Sequence, residues 1–171
     1  MPHLKIKISL FALIMILAPL SSLALSNDRT KPYYVTANEV SYFRNKHTTI
    51  YKGNVHATQG STTLDSDTMI ILTDGKTNAV IKLTAYGKPA HYSTLPNNQK
   101  TKLHARANTI IYQPKLDIVT LIQKAVVTHE KNVFSGPLII YNIKKDTIVS
   151  KGSKKSGKTT VIIQPQSGGE L

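Results

Sequence analysis

One short pattern recurs four times along this chain and limits what it can become. An apolar or small residue is followed, at steps of two, three and two, by a small residue, an apolar residue and another apolar residue. Val35, Ala37, Val40 and Tyr42 form the first copy. Leu64, Ser66, Met69 and Ile71 form the second, Ala105, Ala107, Ile110 and Tyr112 the third, and Phe134, Gly136, Ile139 and Tyr141 the fourth. The starts lie 29, 41 and 29 residues apart (35 to 64, 64 to 105, 105 to 134). Residues two apart on a strand share a face, and a step of three breaks that parity. A bulge or corner between the second and third positions restores it, and a small residue there lets backbones approach closely. Each unit therefore reads as a strand that turns a corner, continues, and is followed by a returning strand. The longer spacing places an insertion in the second unit, assigned to Gly87–Lys102. Gly53 and Gly152 each lie 18 residues after their unit's start, which suggests a second shared corner.

The surrounding texture agrees. Runs such as Thr68–Leu72, Thr109–Tyr112, Ile118–Ile122 and Thr159–Ile163 are rich in Val, Ile, Thr and Tyr. Turn residues separate them, and no segment keeps a 3.6-residue apolar period. The expected fold is all-β and antiparallel. Such units cannot bury an apolar face alone and must stack on one another. The apolar positions then line the inside: Val35, Val40, Tyr42, Tyr51, Val55, Leu64, Met69, Ile71, Tyr92, Ile110, Tyr112, Leu121, Phe134, Ile139 and Tyr141. Two arrangements remain open, a sealed core or two walls that leave an apolar groove.

The N-terminus has the layout of a secretory signal peptide. Lys5 and Lys7 precede an apolar run from Ile8, and small residues follow at Ser22, Ala24 and Ser26. The run is short of the roughly 20 residues a membrane span needs. Residues 1–26 are therefore expected to be cleaved near 24–26, residues 27–165 to form one domain, and residues 166–171 a disordered tail. The chain has no cysteine, which excludes disulfides, thiolate metal sites and lipoprotein anchoring. With 22 Lys+Arg against 9 Asp+Glu, it is strongly basic. A basic secreted protein meets anionic membranes and glycolipids before nucleic acid.

Catalytic or metal chemistry finds no constellation. The histidines lack metal-ligand spacing, although His91 and His104 flank the insertion. Asp65 and Asp67 are expected on the solvent side of a corner. The serines lack a nucleophile elbow, and phosphate-binding glycine loops are absent. No cofactor or metal is expected. The cluster of Lys144, Lys145, Lys151, Lys154, Lys155 and Lys158 reads as a solvated face or a phosphate-binding rim. It has no interleaved aromatics, which weakens a nucleic-acid role. The outer strands at the two termini are exposed pairing edges, with Tyr34 and Thr36 on one and Thr160, Val161, Ile162 and Ile163 on the other. A head-to-tail homo-oligomer follows as an expectation.

Particular motifs resemble a known family. Tyr51-Lys-Gly-Asn-Val55, Thr58-Gln-Gly60 and Leu64-Asp-Ser-Asp67 resemble the opening motif of OstA-like domains. Tyr86-Gly-Lys-Pro-Ala90 is similar to the mid-domain motif of the family's periplasmic lipopolysaccharide-transport member. Ala107–Tyr112 and Lys158–Val161 continue the likeness in order, over about Lys31 to Pro165. The resemblance implies a long, twisted antiparallel β-jelly-roll with an open apolar groove. It implies lipopolysaccharide as ligand, with lipid A acyl chains inside, and a periplasmic location. It also implies LptC as the inner-membrane partner and LptD as the outer-membrane partner. Lipid contacts carried over by motif fall on Tyr33, Val35, Tyr92 and Tyr112. The third unit has Gln123-Lys-Ala125 where the first has Gly53-Asn-Val55, so its wall is expected to differ. Alternatives are an LptC-like sibling, a free LptD N-terminal domain, and a sealed β-roll adaptor of the cell envelope.

Overall fold

The structure, a computed structural model, describes residues 28–96, 99–152 and 157–164. The expected signal peptide (1–26), the tail (166–171), and Lys154 and Lys155 lie outside the described residues. No helix among the described residues is long and apolar enough to cross a membrane.

Among the described residues, ten antiparallel strands form one sheet: β1 (Tyr34–Thr36), β2 (Glu39–Phe43), β3 (Thr48–Gln59), β4 (Thr62–Thr73), β5 (Val80–Thr94), β6 (Leu103–Gln113), β7 (Ile118–His129), β8 (Asn132–Asn142), β9 (Thr147–Lys151) and β10 (Thr160–Ile162). From β3 to β8 every strand pairs with its sequence neighbour. β1 and β2 share the free side of β3, while β9 and β10 share the free side of β8. Among the described residues the sheet does not close into a barrel, because its two outer lanes do not pair with each other.

A row of irregularities crosses the sheet. Pairing slips between Lys52 and Val55 on β3, Asp65 and Thr68 on β4, Tyr86 and Ala90 on β5, Arg106 and Thr109 on β6, and Ile122 and Ala125 on β7. The corners expected after Ser66, Ala107 and Gly136 fall on this row, and Ala37 sits at the break between β1 and β2. The sheet bends there, giving two walls. One contains β1, β10 and the strand halves around Leu64, Tyr92 and Val127. The other contains β2, β9 and the halves around Met69, Ile110 and Ile139. Close approach at the bend explains the small residues: a Cβ added at Gly136 would stand 2.7 Å from Ser150 Oγ.

The repeat is visible in the backbone itself. Left-handed residues occur at His47, Gly53, Asn54 and Gly60, and again at Asp117, Gln123, Lys124 and Glu130, each pair 70 residues apart. The three-residue 3-10 turns Arg44–Lys46 and Pro114–Leu116 keep the same offset. Gln123 and Lys124 thus reproduce the left-handed bend of Gly53 and Asn54 without glycine. Gly152 directly follows β9, and β10 pairs with β8 from Thr160. The insertion is also redistributed. Gly87–Thr94 belongs to β5, and the extra length of the second unit is divided among residues 74–79, the wider corner at 87–89, and residues 95–102.

Candidate functional site: the apolar interior

Antiparallel partners point to the same face, so the register defines complete rows across the sheet. One row runs Val40, Tyr51, Met69, Ala85, Ile110, Leu121, Ile139, Ser150. The next runs Tyr42, Thr49, Ile71, Leu83, Tyr112, Val119, Tyr141, Ile148. On the other wall the row is Val35, Ala57, Leu64, Tyr92, Ala105, Val127, Phe134, Val161. Only one serine and one threonine interrupt these rows. The walls face each other, since Tyr92 of one lies beside Tyr112 and Tyr141 of the other.

Thirteen of the fifteen sequence-derived lipid-facing residues are at least half-buried: Tyr33, Val35, Tyr51, Val55, Met69, Ile71, Tyr92, Ile110, Tyr112, Leu121, Phe134, Ile139 and Tyr141. Val40 and Tyr42 take the inner face by register but are 55% and 61% exposed, because β2 is an end lane with no neighbour beyond it. Val161, on β10 at the far end, is 48% exposed for the same reason. The oligomer-edge residues Tyr34, Thr36, Thr160, Val161, Ile162 and Ile163 are all exposed. Sequence reading missed Leu83, Val119, Val127 and Leu103, which are buried. The first three continue the rows above, and cross-strand register was the signal that would have found them.

The middle of the interior is packed. Met69, Ile110, Leu121 and Ile139 have no accessible surface. An apolar cleft of about 20 Å³ lies between Ala57, Leu64 and Tyr92 on one wall and Leu83 and Tyr112 on the other, with Tyr33 at its rim. That is room for about one water molecule. Beside it, where strand ends rather than corners lie, the walls stand apart by a gap of about 380 Å³. Lys31, Tyr33 and Gln59 line it on one side, and Ala79, Val80, Pro114 and Lys115 on the other. No backbone hydrogen bond crosses between the walls there among the described residues.

The interior tyrosines turn rings to the apolar side and hydroxyls to polar partners. Tyr33 hydrogen-bonds Gln59 and Tyr112. Tyr92 hydrogen-bonds Thr94 and Thr62. Tyr141 donates to Asp146 Oδ1 at 3.1 Å. Burial is the main cause holding all three phenols well above their ordinary pKa, so the interior stays uncharged.

No reactive group converges on this interior. His56 Nδ1 lies 2.5 Å from Asp65 Oδ1, but both are half-exposed on the outer face. Asp67 is also exposed, and His91 and His104 share a shallow outer depression. Among the described residues, no group of three His, Asp or Glu is placed to hold a metal.

A bent, unclosed sheet with an apolar inner surface and open ends has the geometry of a protein that holds apolar chains. Comparison with known proteins gives the family. Residues 34–147 match the family described as LptA/(LptD N-terminal domain) LPS transport protein, and the chain belongs to it. It is 32% identical to lipopolysaccharide export system protein LptH of Pseudomonas aeruginosa, over 92% of this chain and 93% of that one. It is 28% identical to lipopolysaccharide export system protein LptA of Haemophilus influenzae, over 92% and 91%. The crystal structure of Pseudomonas aeruginosa LptH, a periplasmic component of a lipopolysaccharide transport device, superposes with a TM-score of 0.74 at 30% identity. That match covers 81% of this chain and 99% of the other.

Proposed function

We propose that this protein is a non-catalytic periplasmic carrier that passes lipopolysaccharide along a bridge from inner to outer membrane, holding lipid A acyl chains between its two walls. The observation that carries the reading is the set of apolar rows, interrupted only by Thr49 and Ser150, which run from one open end of the sheet to the other. Each buried CH₂ of an acyl chain gains roughly 0.8 kcal/mol. A continuous apolar track therefore replaces bilayer with protein at every step.

Admission of a chain requires the walls to part, because the resting cleft is small. The walls are joined covalently at the corner row and separated at the strand ends, so opening there breaks no backbone pairing among the described residues. Val40, Tyr42 and Val161 are inner-face residues left bare at the two ends. The terminal edge of one copy laid against the initial edge of the next would cover them and prolong the rows. LptC and LptD are the partners this reading assigns to the two ends of such a stack.

The packed centre favours one rival, a sealed envelope scaffold. Photo-crosslinking residues placed at Tyr42, Tyr92 and Tyr112 separate the two. A carrier gives lipopolysaccharide adducts at all three. Adducts at none of them, in a folded protein, would leave the scaffold. Sedimentation against concentration tests stacking: Ile162→Pro is expected to abolish self-association that the parent chain shows, and a strictly monomeric parent would remove the head-to-tail arrangement.

A further inference from the structure

The outer face of the corner row carries a second concavity, which the carrier reading does not use. It has a volume of about 930 Å³ and spans β5 to β8. Four cations surround it: Lys88 on β5, Arg106 on β6, Lys124 on β7, and Lys158 just before β10. Among the described residues, no Asp or Glu lines it. Asn108, Gln123 and Ser135 stand between the cations, and the Asn108 side-chain amide donates to Gln123 Oε1 at 3.4 Å. Its floor is made of small and proline residues, including Ala125, Gly136 and Pro137.

The bend alone does not require these charges. Seventy residues earlier the first unit makes the same turn with Gly53 and Asn54 in left-handed conformations. There Thr36, Asn38, Gly53 and Asn54 stand where Arg106, Asn108, Gln123 and Lys124 stand in the third unit. Lys124 has φ +54° and Gln123 φ +63°, conformations that cost a side chain strain which glycine avoids. Strain retained at a concave, like-charged site points to function rather than folding. Bulges also re-aim side chains, and here they turn Lys88, Asn108 and Lys124 toward one basin.

We propose that this outer basin binds a phosphorylated sugar, its four cations pairing with phosphate groups and its amides and hydroxyl with sugar hydroxyls. The volume lies in the range of small-ligand sites rather than of an extended polymer track. Lining aromatics, on which nucleic-acid bases would stack, are absent. Cations on three adjacent strands and one flanking segment enclose a compact polyanion better than a linear acidic peptide. The basin lies across the sheet from the apolar rows, so its occupant is separate from any lipid held inside.

Calorimetric titration of the whole mature chain tests the assignment. The probe is a bisphosphorylated glucosamine disaccharide without acyl chains, which leaves the interior out of the measurement. Saturable binding is expected, with no detectable binding of the unphosphorylated disaccharide. Arg106→Gln combined with Lys124→Gln should weaken it at least tenfold. Lys158→Gln, outside the strands, should weaken it severalfold and serves if the double variant fails to fold. Unchanged affinity in folded variants would overturn the proposal. So would equal affinity for inorganic pyrophosphate, or tighter binding of an acidic peptide of the same charge. Failure of lipid capture with this binding intact would sink the carrier reading alone.

Discussion

The first and third repeats share one backbone and live in different surroundings. Val40 and Ile110 occupy the same place in their units, as do Tyr42 and Tyr112. Yet Ile110 and Tyr112 are buried while Val40 and Tyr42 stand largely exposed. The repeat dictates which face a side chain takes. Neighbouring lanes on both sides dictate whether that face is covered. The third repeat has them, and the first lies at the end of the sheet. What is core in the middle of the molecule is therefore interface at its end.

The comparison can be broken most forcefully at the paired apolar positions. Ile110→Ala should cost about 2–5 kcal/mol, through lost burial and a residual cavity. Val40→Ala should stay within about 0.5 kcal/mol, as an exposed substitution does. Urea unfolding of the isolated chain measures both, and equal losses would mean that the end lane is covered within one molecule. Next in size is the corner. Gly53→Ala should cost about 1–2 kcal/mol for a left-handed alanine. Its new Cβ also meets Asn38 Nδ2 at 2.7 Å, so Asn38 must move. Thermal unfolding followed by circular dichroism reads the loss. Smaller still is Tyr112→Phe, which removes a hydroxyl partner of Tyr33 and should cost about 0.5–1.5 kcal/mol. The matching Tyr42→Phe should leave the unfolding midpoint unmoved. The smallest effect is expected for Gln123→Gly, where relief of left-handed strain offsets added freedom in the unfolded chain. Stability there should change by less than about 1 kcal/mol, and a large loss would show that the third corner needs its side chain.

The same pair of repeats explains how much could be read in advance. Parity and the step of three were enough to place the corners after Ser66, Ala107 and Gly136, and to turn Met69, Ile110 and Ile139 inward. Exposure of Val40 and Tyr42 was not legible, because lane order is a property of the assembled sheet. Leu83 and Val119 were missed because a returning strand shows its face only once its register with the preceding strand is known. The left-handed backbone at Gln123 and Lys124 had no local signal, since neither residue type favours it. Only the offset from Gly53 and Asn54 could have announced it. The outer basin assembles cations from well-separated stretches of chain, and only the bend brings them together.

From β3 to β8, spatial order equals chain order. Every pairing in that stretch closes a hairpin, so none waits for a remote segment to be synthesised or to diffuse home. Contacts this local favour quick folding that can begin at any hairpin and spread in both directions. A chain ordered in this way can assemble as it is made, from whichever hairpin is complete first.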